Sequence, residues 1–159
     1  MPKDRMVWVE LVTSGDDPET DSIERIRTIV TDKDLEIVAE GPATPVEDVA
    51  AVQEAVIALI SDHIGKGTGL LAGARVRDTR RFLANQMPEL SAYLHYRTID
   101  VSTVRELVRR WYPEQYAARP NTGADADGIS SAIAELRHYR AHVFALPPEP
   151  VAPPAESPA

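Results

Sequence analysis

The chain has 159 residues, a formal net charge of −8, 43% hydrophobic and 26% charged residues, and no cysteine. That length suits one domain with its own core. The absence of cysteine excludes disulfides, thiolate metal ligands and a cysteine nucleophile, and the negative charge disfavours broad binding to a nucleic-acid backbone, which depends on clustered Lys and Arg.

Three β-type segments open the chain, Val7 to Thr13, Ile23 to Thr31 and Leu35 to Glu40, and read as an antiparallel meander with Asp32-Lys33-Asp34 as its second turn. The start, MPKDRMVWVE, has no apolar signal region, and the longest apolar run, Ala55 to Ile60, is too short to cross a bilayer, so a cytoplasmic protein without a membrane partner is expected. From Pro45 the period becomes helical, with Val49, Val52, Val56, Leu59 and His63 three or four apart. GKGTG at Gly65 to Gly69 follows, and Gly69 to Gly73 reads as a short buried strand. Arg77 to Gln86 and Pro88 to His95 suit helices, and Tyr96 to Val101 suits a strand. Ser102 or Thr103 is the expected cap of the next helix, with Thr103 to Glu106 as a capping box and Val104, Leu107, Val108 and Trp111 on one face. A last helix carries Ile129, Ile133, Leu136 and Val143 as its apolar stripe. Strands first, then helices alternating with strands, predict an α/β domain with a mixed sheet over residues 1–144. The remainder, 145–159, has proline at every second or third place and reads as a disordered tail. Its two PxxP patterns, from Pro147 and from Pro150, need no more than composition to explain them.

GKGTG lacks the spacing of a phosphate loop and lies between a helix and a strand, the reverse of the order such a loop needs, so a helix C-cap and turn is expected. His138 and His142 have chelating spacing but no third ligand, and a solvated helix face is expected for them. His63 and His95 are isolated.

WVELVTSGDDPETDSI at residues 8–23, ARVRDTRRFLANQMPELSAYLHYRTIDVSTVRELVRRW at 74–111 and ADADGISSAIAELRHYR at 124–140 stand in a telling order. Together they resemble oligoribonuclease, a two-metal 3′-to-5′ exonuclease family of the DnaQ-like, ribonuclease-H-like superfamily. The most specific stretch is MPELSAYLHYRTIDVST, Met87 to Thr103. The resemblance implies a ribonuclease-H-like α/β fold, a five-stranded mixed sheet flanked by helices, and usually a homodimer. It also implies a set of carboxylates holding two divalent cations, with a histidine as general base.

Carried over residue by residue, the family's first Asp falls on Glu10, its Glu on Val12, its middle Asp on Thr79, its histidine on Gly123 and its last Asp on Gly128. One of the four carboxylates remains, and the general base is absent. No cofactor is therefore expected; Mg²⁺ or Mn²⁺ would enter only if Glu10 were joined by the neighbouring Asp78 and Asp127 as relocated ligands. Asp16 stands where the family has an apolar wedge, and the segment before Gly69 is shorter than in the family. Tyr96, Arg97 and Ser102 match family residues that reach across the dimer to a base and a 5′-phosphate. Arg75 and Arg77 add positive charge beside the middle position, where a metal-free anion site would use them. The expectation is a degenerate member acting as an accessory or scaffolding subunit for a protein partner. The alternatives are a binding module for short oligonucleotides or another phosphorylated ligand, and a working exonuclease with relocated ligands.

Overall fold

The computed structural model of the chain describes residues 1–120, 128–144 and 154–155. The proline-rich tail, apart from the exposed Pro154 and Ala155, lies outside the described residues, as do Gly123 and Asp127. Strands β1 (Met6–Thr13), β2 (Ile23–Thr31) and β3 (Ile37–Glu40) form the expected antiparallel meander. The alternation of β1 explains its place. Val7 and Val9 face one core, while Trp8 faces another, and a one-residue slip would exchange them. Trp8 is fully buried, and its indole N–H finds a partner in Thr31 Oγ1 on β2, 2.9 Å away.

The chain then adds β4 (Thr44–Pro45), α1 (Val49–Ser61), β5 (Leu70–Gly73), α2 (Val76–Gln86), α3 (Pro88–Tyr93), β6 (His95–Asp100), α4 (Val101–Trp111), α5 (Pro113–Ala117) and α6 (Ile129–His142). The sheet runs β3-β2-β1-β5-β6, with β5 parallel to both β1 and β6. These are the five expected strands. The two-residue β4 pairs beside them with β2 and makes six, where the helical period had suggested that a helix begins at Pro45. That helix starts only at Val49, because the Asp48 carboxylate accepts from Ala51 N and caps it.

Helices α1, α2 and α3 cover one face of the sheet, where Ile60, Phe82 and Leu90 join Val7 and Val9. On the other face Val101 of α4 and Ile129 and Ile133 of α6 pack on Trp8, Ile29 and Ala72. Gln53 of α1 ties the first layer together, its side-chain oxygen accepting from Glu89 N and Leu90 N at the start of α3. In the second layer the Glu135 carboxylate of α6, almost fully buried, meets the Arg105 guanidinium of α4 at 3.0 Å.

Four local expectations are corrected. α4 begins at Val101, and Asp100 caps it: its carboxylate accepts from Ser102 N and from Ser102 Oγ, at 2.9 and 2.6 Å, so the capping box from Thr103 does not form. An aspartate is the better cap because its charge also meets the positive helix end. The apolar face of α4 divides: Val108 is buried, but Leu107 and Trp111 are 41% and 66% exposed. GKGTG does not cap α1, which ends at Asp62; within it Gly67 holds a positive φ of 75° and donates to Tyr93 O. His138 is half-buried, not solvated, and its Nε2 lies 2.8 Å from Gln115 O on α5.

Tyr139 of α6 is fully buried, and among the described residues its hydroxyl makes no hydrogen bond of good geometry, although the Glu135 carboxylate lies beside it. Burial first, and the neighbouring Glu135 carboxylate second, push its phenol well above the usual range. Tyr139→Phe is thus expected to be neutral or stabilising at pH 7, by up to about 1–3 kcal/mol, since it removes a buried unpaired polar group. The raised phenol adds a pH dependence. Its stabilising contribution is present below the unfolded value near pH 10 and is lost as pH rises above it, so the wild-type chain should lose stability above about pH 10 more steeply than the variant. Urea midpoints at neutral and alkaline pH measure both effects; a variant as alkali-sensitive as wild type would reject the assignment.

Candidate functional site

A cleft opens at the carboxyl ends of the parallel strands β1 and β5, the edge of an α/β sheet where ligands bind. It is shallow, with a cavity volume of about 70 Å³. Val9, Leu11, Ala74, Phe82 and Ile129 supply apolar wall, and Glu10, Thr13, Asp16, Arg75, Asp78 and Thr79 supply polar groups. Thr79 sits on the second turn of α2, one helix position from Asp78 and thus about 100° away around the axis.

Each predicted residue except Gly123 and Asp127, which lie outside the described residues, has a position. Glu10 is half-buried, and its Oε1 accepts from Ile129 N at 2.9 Å. Ile129 is the first residue of α6, and the preceding Gly128 has no side chain to cap that helix. The Glu10 carboxylate therefore occupies a free amide at the positive end of α6. Val12 is 48% exposed and does not line the cleft. Thr79 is 8% exposed, faces the cleft and hydrogen-bonds to none of the described residues through its hydroxyl. Asp78 is held between Arg75, at 3.4 Å, and Arg81, at 3.6 Å. The anion site expected of Arg75 and Arg77 is not assembled, since Arg75 is paired within one helical turn and Arg77 is exposed outside the cleft. Asp16 is exposed at the rim and pairs with none of the described residues. Among the described residues no three His, Cys, Asp or Glu side chains converge in a way that could hold an ion.

Tyr96, Arg97 and Ser102 do not line this cleft. They lie on the edge strand β6 and the start of α4, where Tyr96 is 78% exposed and stacks on His95 with ring centroids 4.5 Å apart. The Arg97 guanidinium stands 5.6 Å from the Tyr96 ring centre. Ser102 is engaged by Asp100. His138 and His142 touch, with centroids 4.8 Å apart, but the carbonyl of Gln115 already uses one ring nitrogen of His138.

The loop behind the cleft is firmly built. Asp21 accepts from Asp17 N, Ser14 Oγ accepts from Ser22 N, and Gln86 of α2 donates to the carbonyls of Pro18 and Asp21. A Cβ on Gly15 would lie 2.3 Å from the Asp21 carboxylate, so a side chain there would have to displace that carboxylate from Asp17 N.

The chain is 36% identical over 176 aligned residues to the oligoribonuclease of Dichelobacter nodosus, covering 91% of this chain and 98% of that protein. It belongs to the oligoribonuclease family. The oligoribonuclease of Shewanella loihica is 38% identical, with 89% of this chain and 96% of that protein covered. The mitochondrial oligoribonuclease of Homo sapiens is 36% identical, with 88% and 73% covered. The RNase T exonuclease family model matches residues 36–123. Among solved structures, exonuclease I in complex with the inhibitor BCBP superposes with a TM-score of 0.68 at 14% identity, over 90% of this chain and 42% of that one. The metal-free form of an Escherichia coli exonuclease I–ssDNA complex gives 0.68 at 15%, over 88% and 40%. The chain spans about two fifths of those exonuclease I chains, and at such identity they establish the ribonuclease-H-like, DnaQ-like fold.

As an oligoribonuclease-family chain it is short. Of 176 aligned positions it fills about 145, which is 91% of its 159 residues, so about thirty positions of the Dichelobacter protein have no counterpart. The cap that Glu10 provides to α6 is the feature that residue-by-residue reading missed. Its signal was present: a helix preceded by Gly128 must draw its cap from elsewhere.

Proposed function

We propose that this oligoribonuclease-family chain is non-catalytic and acts as a binding or accessory subunit for a partner protein. The observation that carries this reading is the hydrogen bond from Ile129 N to Glu10 Oε1. It engages, in holding α6, the one carboxylate retained at the family's metal positions. Val12, Thr79 and Gly128 bring no charge to the others. Two hard cations close together need several anionic oxygens, and this donor set does not fit them. Asp78, offered as a relocated ligand, stands between the guanidinium groups of Arg75 and Arg81, which compete with a cation for it. The partner surface in this reading is the open edge of β6 with α4, where Tyr96, Leu107 and Trp111 leave large apolar area in water. A homodimer through this surface is the competing assembly. No described helix is long and apolar enough to cross a membrane, and the proposed setting is the cytoplasm.

A test incubates the full chain with an RNA dinucleotide and Mn²⁺ or Mg²⁺. Turnover at the no-enzyme background is expected. Turnover abolished by Glu10→Gln would overturn the proposal. Affinity purification from the native source should return a stoichiometric partner, and recovery as a homodimer alone would count against the accessory role. A second reading, binding of short oligonucleotides, is favoured by the exposed Tyr96 ring with Arg97 beside it. Saturable binding of a 5′-phosphorylated dinucleotide without metal, lost in Tyr96→Ala, would establish it.

A further inference from the structure

We infer that the cleft at the ends of β1 and β5 accepts the ammonium group of a lysine side chain from a partner protein. The inference rests on the non-catalytic reading and names the chemistry that this site would recognise. Its first support is the sign of the unpaired charge. Among the residues that line it, Glu10, Asp16 and Asp78 carry three negative charges against the one positive charge of Arg75, and neither Glu10 nor Asp16 is in an ion pair with a described residue; Arg27, opposite Glu10 on β2, is paired with Glu40. A phosphate would meet net negative charge there, and a cation would be attracted.

The second support is independent of charge. Thr79 is more than nine-tenths buried and lines the cleft, and its hydroxyl bonds none of the described residues. What exposure the residue keeps is to the cleft, so its hydroxyl is a hydrogen-bonding position that a bound group can take over from water. Together with Glu10 Oε2, the carboxylate oxygen not used on α6, it gives two acceptors for a compact donor. Leu11, Ala74, Phe82 and Ile129 offer apolar wall for a four-carbon stem. Arginine fits less well, because a guanidinium takes both oxygens of a carboxylate and one of Glu10's is engaged.

The experiment follows backbone amide shifts of the full chain by NMR during titration with Nα-acetyl-lysine methylamide. Saturable shifts at Glu10, Ala74 and Thr79 are expected, with the uncharged norleucine analogue binding about tenfold or more weakly. Asp16→Asn and Thr79→Val should each weaken the lysine probe while leaving the rest of the spectrum in place. Equal binding of the norleucine analogue, shifts that map away from the cleft, or tighter binding there of a 5′-phosphorylated dinucleotide would overturn the inference. Binding of methylammonium, which keeps the charge and lacks the stem, as tight as that of the lysine probe would overturn the assignment to a lysine side chain, since the ammonium alone would then suffice. The dinucleotide turnover assay separates the two proposals. Turnover removes the non-catalytic reading, whereas no turnover together with no lysine binding removes this inference alone.

Discussion

Arg105→Met is expected to destabilise the chain by about 3–5 kcal/mol, the usual cost of stranding one member of a buried ion pair. Glu135 is 2% exposed, and Arg105 bonds both of its oxygens, at 3.2 and 3.0 Å. Removal of the guanidinium leaves a carboxylate in the layer between α4 and α6 with its main source of compensation gone. The double variant Arg105→Met/Glu135→Leu should recover most of the loss, because two apolar side chains of similar size avoid the desolvation that the pair has to overcome. Urea unfolding of the two singles and the double measures the coupling directly. If the double variant is as unstable as the singles combined, the pair is not the reason for the loss. The magnitude matters for the proposed function, since α4 presents Leu107 and Trp111 to solvent and α6 is what holds it from behind.

Glu10→Ala should cost about 1.5–2 kcal/mol, the range for losing a charged hydrogen-bond acceptor at a helix start. The sign is the informative part. Removing a metal-binding carboxylate from a working site commonly leaves stability unchanged or raised, since active sites hold like charges together at the expense of stability. Here the carboxylate bonds Ile129 N and faces the positive end of α6, so its removal should loosen that helix. Glu10→Gln keeps an acceptor and loses the charge, and should fall between wild type and Glu10→Ala. Thermal or urea midpoints, with amide exchange at the first turn of α6, check this. A Glu10→Ala chain as stable as wild type, with unchanged exchange at Ile129, would mean that the carboxylate is not acting as a cap.

The fold was legible in the chain because its signals are local and redundant. Period-two alternation in WVELV and IERIRTIV, the helical spacing from Val49 to Leu59, and the stretch from Met87 to Thr103 each point the same way. The errors cluster at element ends. Asp100 and not Ser102 or Thr103 caps α4, and β4 precedes α1. At an end, one or two hydrogen bonds decide between neighbouring residues, and periodicity does not distinguish them. The split face of α4 is a different case. Leu107 and Trp111 share the spacing of Val108, and only the position of the helix at the edge of the sheet determines which of them meets the core.

At the candidate site the sequence by itself determined which chemical groups are present: a glutamate, a valine, a threonine and two glycines at the five positions where the resemblance leads one to expect four carboxylates and a histidine. Side-chain chemistry is a property of the residue, so that statement needs no coordinates. What the remaining groups do was decided by the tertiary structure. Glu10 and Ile129 are 119 residues apart, and only the packing of α6 beside β1 turns the carboxylate into a helix cap. The fold also carries the loop with Asp16 to the rim of the cleft and faces α2 so that Thr79 enters it while Asp78 is held by Arg75 and Arg81. A carboxylate's role depends on the partners within hydrogen-bond reach, and those partners are brought together only when the chain is folded.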